Sequence, residues 1–201
     1  MDLLRNSMKE IASFILKVAE HLDKYQVEKL IQYLIEARNR EGKILVVGAG
    51  RSGLVAKAFA MRLMHLGFNT FVLGETITPR IGPGDVVLAV SGSGRTQVVV
   101  TVAAAAKKAG ATVIAVTSYP NSPLAKLSDC VVRIPGRTKL AEETDYFARQ
   151  VLGIYEPLAP LGTLFEDSTL VFFDGLIVEL MERLSITEED MRKRHANVEG
   201  I

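Results

Sequence analysis

Apolar residues recur at helical spacing in two opening stretches, first Ile11, Phe14, Ile15, Val18 and Leu22, then Val27, Leu30, Ile31, Leu34 and Ile35. Gly42 closes the second. From there the pattern changes to short, nearly continuous apolar runs alternating with helical ones. Lys43–Val47, Thr70–Leu73, Val86–Val90, Thr112–Thr117 and Cys130–Ile134 read as five strands. Leu54–Leu66 and Gln97–Ala109 read as helices stopped by Gly67 and Gly110, with a short helix near Leu124–Leu127. Apolar strands separated by helices predict an α/β fold, a parallel sheet covered on both faces. After Pro135 the pattern predicts a helix over Arg137–Gly153, a loop over Pro157–Gly162 and a long apolar helix over Ser168–Leu184. A last short helix is capped by Thr187 with Asp190 three residues on. With no repeat, low-complexity stretch or linker, residues 1–201 read as one domain: N-terminal helices over 1–41, a sheet core over 43–134 and C-terminal helices over 137–201.

A chain of 201 residues buries roughly 70% of what its unfolded form exposes, enough for one stable core. Lys and Arg number 24 against 23 Asp and Glu, so no basic field points to nucleic acid or an anionic membrane. The single cysteine, Cys130, cannot form an internal disulfide and reads as a buried thiol in a reducing compartment. Asp2, Lys9 and Glu10 interrupt the N-terminal apolar residues, and no uncharged run is long enough to cross a membrane. The expectation is a cytoplasmic protein. The apolar helices exceed what one sheet of this size needs to cover, so a homo-oligomer is expected, a tetramer.

Ligands of parallel sheets bind beyond the carboxyl ends of the strands. Three loops there carry suitable chemistry: Gly48–Gly53, Ser91–Thr96 and Thr117-Ser118. The second, Ser91-Gly92-Ser93-Gly94-Arg95-Thr96, joins a buried strand to a helix through small and hydroxyl-bearing residues. The helix N-terminus offers unpaired N–H groups and a positive dipole, and three hydroxyls and a guanidinium are added at the same spot. That is more than a tight turn requires, and it fits a phosphate group. The first loop matches G-x-G-x-x-G, and Glu75 follows at the distance expected of a ribose-binding acid. A nicotinamide-dependent oxidoreductase therefore stays open as an alternative. Arg51 and Ser52 in the loop, the second phosphate-type loop and the lack of length for a substrate domain weigh against it. Glu75 reads equally as a solvated loop residue.

Taken together, Gly48–Gly53 and Ser91–Thr96 resemble the loops of the sugar-isomerase (SIS) domain family. Six segments extend the likeness to its 6-phospho-3-hexuloisomerase branch: Gly50-Arg51-Ser52-Gly53, Phe59–Gly67, Gly74-Glu75-Thr76, Ser91–Thr96, Gly162–Glu166 and Arg194-His195-Ala196-Asn197. The resemblance implies a flavodoxin-like five-stranded sheet, a tetramer, and interconversion of 3-hexulose 6-phosphate with fructose 6-phosphate, as in formaldehyde fixation or pentose-phosphate supply. Phosphoheptose or arabinose 5-phosphate isomerisation, and non-catalytic phosphosugar sensing, remain alternatives of the same fold. The N-terminal helices lack the basic recognition helix of a DNA-binding regulator.

Moving a carbonyl between adjacent carbons takes proton removal from C2, an enediolate and protonation at C3. One carboxylate does both, without cofactor or metal. No Cys, His, Asp and Glu cluster has metal-ligand spacing, so no metal is expected. Glu166 is the candidate base, set among apolar residues that raise its pKa. Thr163-x-x-Glu166 also reads as a capping box, and Asp167 as a charge complementing the helix dipole. The resemblance places the family's proton-transferring glutamate at Glu166 and a substrate contact at Arg51. Ser52 is either a donor to substrate or a helix N-cap. Ser91, Gly92, Ser93, Gly94, Arg95 and Thr96 are the expected phosphate contacts. His65 reads as structural and His21 as a partner of its helix's dipole. Arg192, Lys193 and Arg194 read as a solvated face. His195 alone reads as an exposed terminal residue, but the resemblance implies a histidine near the substrate oxygens, reached across a subunit boundary.

Overall fold

Every predicted strand is present. The computed structural model describes residues 1–136, 151 and 158–195. Its elements are α1 (Asp2–Glu20), α2 (Lys24–Asn39), β1 (Lys43–Gly48), α3 (Gly50–His65), β2 (Asn69–Val72), β3 (Val86–Val90), α4 (Gln97–Lys108), β4 (Thr112–Thr117), α5 (Pro123–Leu127), β5 (Cys130–Arg133), α6 (Thr163–Leu184) and α7 (Glu188–Arg194). Apart from Val151, the helix expected over Arg137–Gly153 lies outside the described residues, as does the segment after His195.

The five strands form one parallel sheet in the order β2-β1-β3-β4-β5. This is the flavodoxin-like order, whose direction of winding reverses between β1 and β3. Alternation along each strand divides the core in two. Ile44, Val46, Leu88 and Ile114 face a cluster with Leu30, Phe59, Leu63 and Phe173, contributed by α2, α3 and α6. Leu45, Val47, Val87 and Val113 face the other way, onto Val99, Ala103 and Leu124 of α4 and α5. Phe59 of α3 stacks on Phe173 of α6 with ring centroids 4.1 Å apart. That contact fixes α6 alongside α3, and so fixes where the start of each helix lies.

Two helices begin earlier than their periodicity predicts. α3 opens at Gly50 rather than Leu54, so Arg51 and Ser52 are helical residues, and the N-cap position falls to Ala49 rather than Ser52. α6 opens at Thr163 rather than Ser168, placing Glu166 inside its first turn. In α3 the leading turn, Gly50–Gly53, carries no large apolar residue, and in α6 the buried Leu164 and Phe165 are flanked by the polar Thr163, Glu166 and Asp167, which obscure the start of the apolar period. Both short helices fall where the sequence places them: Thr187 with Asp190 forms the expected capping box on α7, and α5 proves to be capped by Ser122. His21 ends α1, its Nδ1 2.8 Å from the Lys17 carbonyl. Cys130 is a buried free thiol, and burial pushes its pKa up to about 11.

Candidate active site

The reversal point between β1 and β3 brings together the start of α3, the loop from β3 to α4, and the start of α6. Ser91 continues the ladder through its N–H to the Val116 carbonyl, 3.0 Å away, and the chain then turns sharply. Inside the turn Ser91 Oγ accepts the Gly94 N–H at 3.1 Å and lies 3.1 Å from Thr96 Oγ1. Ser93 Oγ accepts the Arg95 N–H at 3.2 Å. Thr96 occupies the N-cap of α4 without capping it by its side chain. Among the described residues the first-turn N–H groups of α4 thus have no side-chain acceptor, which is the arrangement that suits an anion.

Neighbouring elements brace this loop from beneath. The Ser118 N–H and the Thr117 hydroxyl both donate to the Gly92 carbonyl, at 3.1 and 3.3 Å, and the Leu124 N–H donates to the Gly94 carbonyl at 3.0 Å. Thr117 and Ser118, expected as a third ligand loop, therefore act as supports; Ser118 Oγ donates onward to the Ile134 carbonyl at 2.8 Å. Gly94 has φ +60°, and a Cβ there would run into Ser122 Oγ and Cβ. At Gly92 a Cβ would lie 2.9 Å from the Phe165 ring. Only glycine lets the first turn of α6 approach the loop so closely, and the residue after Phe165 is Glu166.

Glu166 has 12% of its side chain exposed. Its Oε2 stands 3.0 Å from Arg51 Nε, and its Oε1 3.5 Å from Ser52 Oγ. The capping box anticipated for Thr163 and Glu166 does not form. Gly162 holds the N-cap position, Thr163 Oγ1 donates to the Pro160 carbonyl at 2.7 Å, and the Glu166 carboxylate turns toward α3. Burial raises the Glu166 pKa above the ordinary carboxylate value. The Arg51 guanidinium opposes the shift, the Asp167 charge adds to it, and the Ser52 hydroxyl opposes it. A carboxylate so placed is a stronger base than an exposed one.

Arg51 is held by three partners on α6. Besides Glu166 it reaches Thr163 Oγ1 through Nη1 at 3.1 Å and Asp167 Oδ1 through Nη2 at 3.0 Å. Asp167 therefore does more than complement a dipole, a role that no sequence signal announces beyond its place beside Glu166. Arg51 is still 55% exposed, so its outer face remains open to a ligand. Glu75 pairs with Lys57 at 2.7 Å, the local partner expected of a loop acid rather than an open ribose acceptor.

His195 lies elsewhere in its own chain. It ends α7 with its ring centroid 5.0 Å from that of His65, at the far end of α3. His65 is buried, which lowers its pKa, and the charges of His195 and Arg62 lower it further. Fourteen residues of helix separate His65 from Arg51, about 20 Å at 1.5 Å per residue. The structure thus brings Arg51, Ser52, Ser91–Thr96 and Glu166 to one end of the sheet and leaves His195 at the other.

The model of the SIS domain family matches residues 38–152. A protein of Aeropyrum pernix is 62% identical over 96% of this chain and 91% of its own. The 3-hexulose-6-phosphate isomerases of Bacillus subtilis and Mycobacterium gastri are each 38% identical, over 94% and 98% of this chain and 96% and 92% of theirs. A crystal structure from Methanococcus jannaschii, reported to infer the function of a 3-hexulose-6-phosphate isomerase, superposes with a TM-score of 0.75 at 36% identity, over 98% of this chain and 97% of that one. Sheet order, serine loop and these relatives agree: the chain belongs to the SIS domain family.

Proposed function

We propose that this protein is an isomerase that interconverts 3-hexulose 6-phosphate and fructose 6-phosphate through a cis-enediolate. One observation carries the reading: a buried carboxylate of raised basicity, Glu166, is separated from a phosphate-type loop only by the contact of Phe165 on Gly92. The relatives of matching length that bear this activity support it.

The phosphate sits on the N–H groups at the start of α4 and on the hydroxyls of Ser93 and Thr96, with Ser91 shaping the loop and Arg95 adding charge. That handle holds the sugar at one distance from Glu166. Glu166 takes the proton from C2 and returns it to C3, both on one face of the enediolate. Arg51 and Ser52 meet the oxygens on which negative charge develops. No step requires a redox cofactor or a metal.

His195 belongs to the reading as a residue supplied by a neighbouring copy in a homotetramer. Along the outer side of α3, Leu54, Met61 and Met64 are exposed between Arg51 at one end and the His65–His195 pair at the other. Two copies packed antiparallel on this stripe would set one copy's His195 against the other's Glu166, where an imidazole could pass a proton between O2 and O3. No described helix is long and apolar enough to cross a membrane. The reading further takes the chain as a single domain and its setting as cytoplasmic. A panel of phosphosugars, offered to the purified protein with products read by NMR, tests the assignment. Turnover of the hexulose pair supports it, whereas turnover of only a heptose or pentose phosphate redirects it.

A further inference from the structure

Asp167 lies outside the apparatus that the chemistry requires, yet it is the third carboxylate-or-hydroxyl partner on a single guanidinium. Arg51 Nε faces Glu166 Oε2 at 3.0 Å, Nη1 donates to Thr163 Oγ1 at 3.1 Å, and Nη2 donates to Asp167 Oδ1 at 3.0 Å. All three partners lie within five consecutive residues of α6, so one turn of helix meets one fork of donors. The Nε contact is an ion pair without hydrogen-bond alignment, and Glu166 Oε2 has no hydrogen-bond partner among the described residues. The planar fork explains this. Its Nη atoms are committed to Thr163 and Asp167, so the plane is set by them and Glu166 receives charge but not a directed bond.

We propose that Asp167 is a positioning residue: by anchoring Arg51 Nη2 it withholds a full hydrogen bond from Glu166 and keeps that carboxylate basic. The inference rests on Glu166 being the base in the proposed isomerisation. Its physical content is a competition for one cation. With Asp167 ionised, Arg51 divides its charge between two carboxylates, and the negative charge of Asp167 itself opposes ionisation of Glu166. With Asp167 neutral, the guanidinium is free to settle on Glu166 in a bidentate pair, which stabilises the anion and weakens it as a base. Among the described residues the groups facing Glu166 are Arg51 and Ser52 of α3 and Asp167 on its own helix, and the direction of its shift agrees with this balance. Binding of an anionic substrate would draw the exposed side of Arg51 outward, with Asp167 as the pivot.

The test is the titration of Glu166 itself, followed by carbon-13 NMR of glutamate-labelled protein and assigned by the Glu166→Gln variant. In Asp167→Asn the Glu166 carboxyl is expected to titrate at lower pH than in the wild type, and Asp167→Glu is expected to restore it. Should Asp167→Asn fail to fold, Asp167→Ser serves the same comparison. Turnover is measured in parallel. Asp167→Asn should lower kcat about tenfold, a part of the roughly 10²–10⁴ that a general base contributes, and shift the acid limb of the pH profile downward. A residue that merely steadies the helix would lower thermal stability and leave both the titration and the limb in place. An unmoved Glu166 titration in folded Asp167→Asn overturns the proposal. A wild type that converts neither hexulose phosphate overturns the functional reading while the titration still reports on Asp167.

Discussion

In the proposed isomerisation the chemistry turns on Glu166, whose surroundings make opposite demands on catalysis and stability. Its pKa is raised chiefly by burial, so the folded state favours the protonated form relative to the unfolded chain. That contribution is fully present below the ordinary glutamate pKa and is lost as pH rises through the raised one. Glu166→Gln should therefore leave the melting temperature at neutral pH equal or higher, while kcat falls by about 10²–10⁴ and phosphosugar binding persists. Thermal melts beside kinetics check both halves. In the wild type, activity should fall toward acid through a pKa above that of an exposed carboxylate, since the base must be ionised to act. In the same reading the hydroxyls of Ser93 and Thr96 act on affinity instead. Removing either by alanine takes one charge-assisted bond from a dianion, roughly 1.5–3 kcal/mol, so KM should rise about ten- to hundredfold with little change in kcat. The place of the serine loop after a buried strand was legible from residue type and position, whereas Glu166 read equally as half of a capping box and became the candidate base only through the family resemblance. The Asp167 pairing was not, since its partner Arg51 lies 116 residues away and only the α3–α6 contact joins them.

At the scale of elements, the loop from β3 to α4 works because it is packed rather than loose. Gly94 combines a positive φ with contact against Ser122, and the Gly94 carbonyl accepts from Leu124, so α5 serves as the floor of the proposed phosphate site. Gly94→Ala adds a Cβ where both the backbone region and the space forbid it. It should destabilise the protein by about 1–3 kcal/mol from the backbone alone and abolish phosphosugar binding. Calorimetry and a binding titration read the two losses, and a variant that binds normally would mean the loop is not the phosphate site. All five strands and the short helix near Leu124–Leu127 could be read from the hydrophobic pattern, and the last helix from its capping pair Thr187 and Asp190. The starts of α3 and α6 could not. Each opens with a turn that includes polar side chains meeting across the α3–α6 contact, and Arg51, Ser52, Thr163 and Glu166 carry no apolar signal of the helix that holds them. For the same reason Thr163 and Glu166 read as a capping box, whereas the chain spends both on contacts across to α3 and Pro160.

The whole molecule sets its loops at the reversal point of a 2-1-3-4-5 sheet, the place where such folds receive ligands. Its least symmetric feature is the distance between Glu166 and His195, which sit at opposite ends of α3 within one chain. Mixing Glu166→Gln and His195→Ala subunits, each expected to be inactive alone, should restore part of the activity if sites are shared between copies. Hybrids that stay inactive although His195→Ala is impaired would contradict sharing, and a fully active His195→Ala would remove the residue from the mechanism. Surplus apolar helix is the ground for expecting an assembly, but sequence alone cannot orient one copy on another, because the interface is a property of shape. The central claim is narrower and is tested most directly by incubating the purified protein with fructose 6-phosphate in deuterated water and following the sugar by NMR. The account predicts formation of 3-hexulose 6-phosphate with deuterium entering at C3 of the remaining fructose 6-phosphate, both lost in Glu166→Gln. A wild type that leaves fructose 6-phosphate untouched, or a Glu166→Gln protein that converts it as fast, would contradict it.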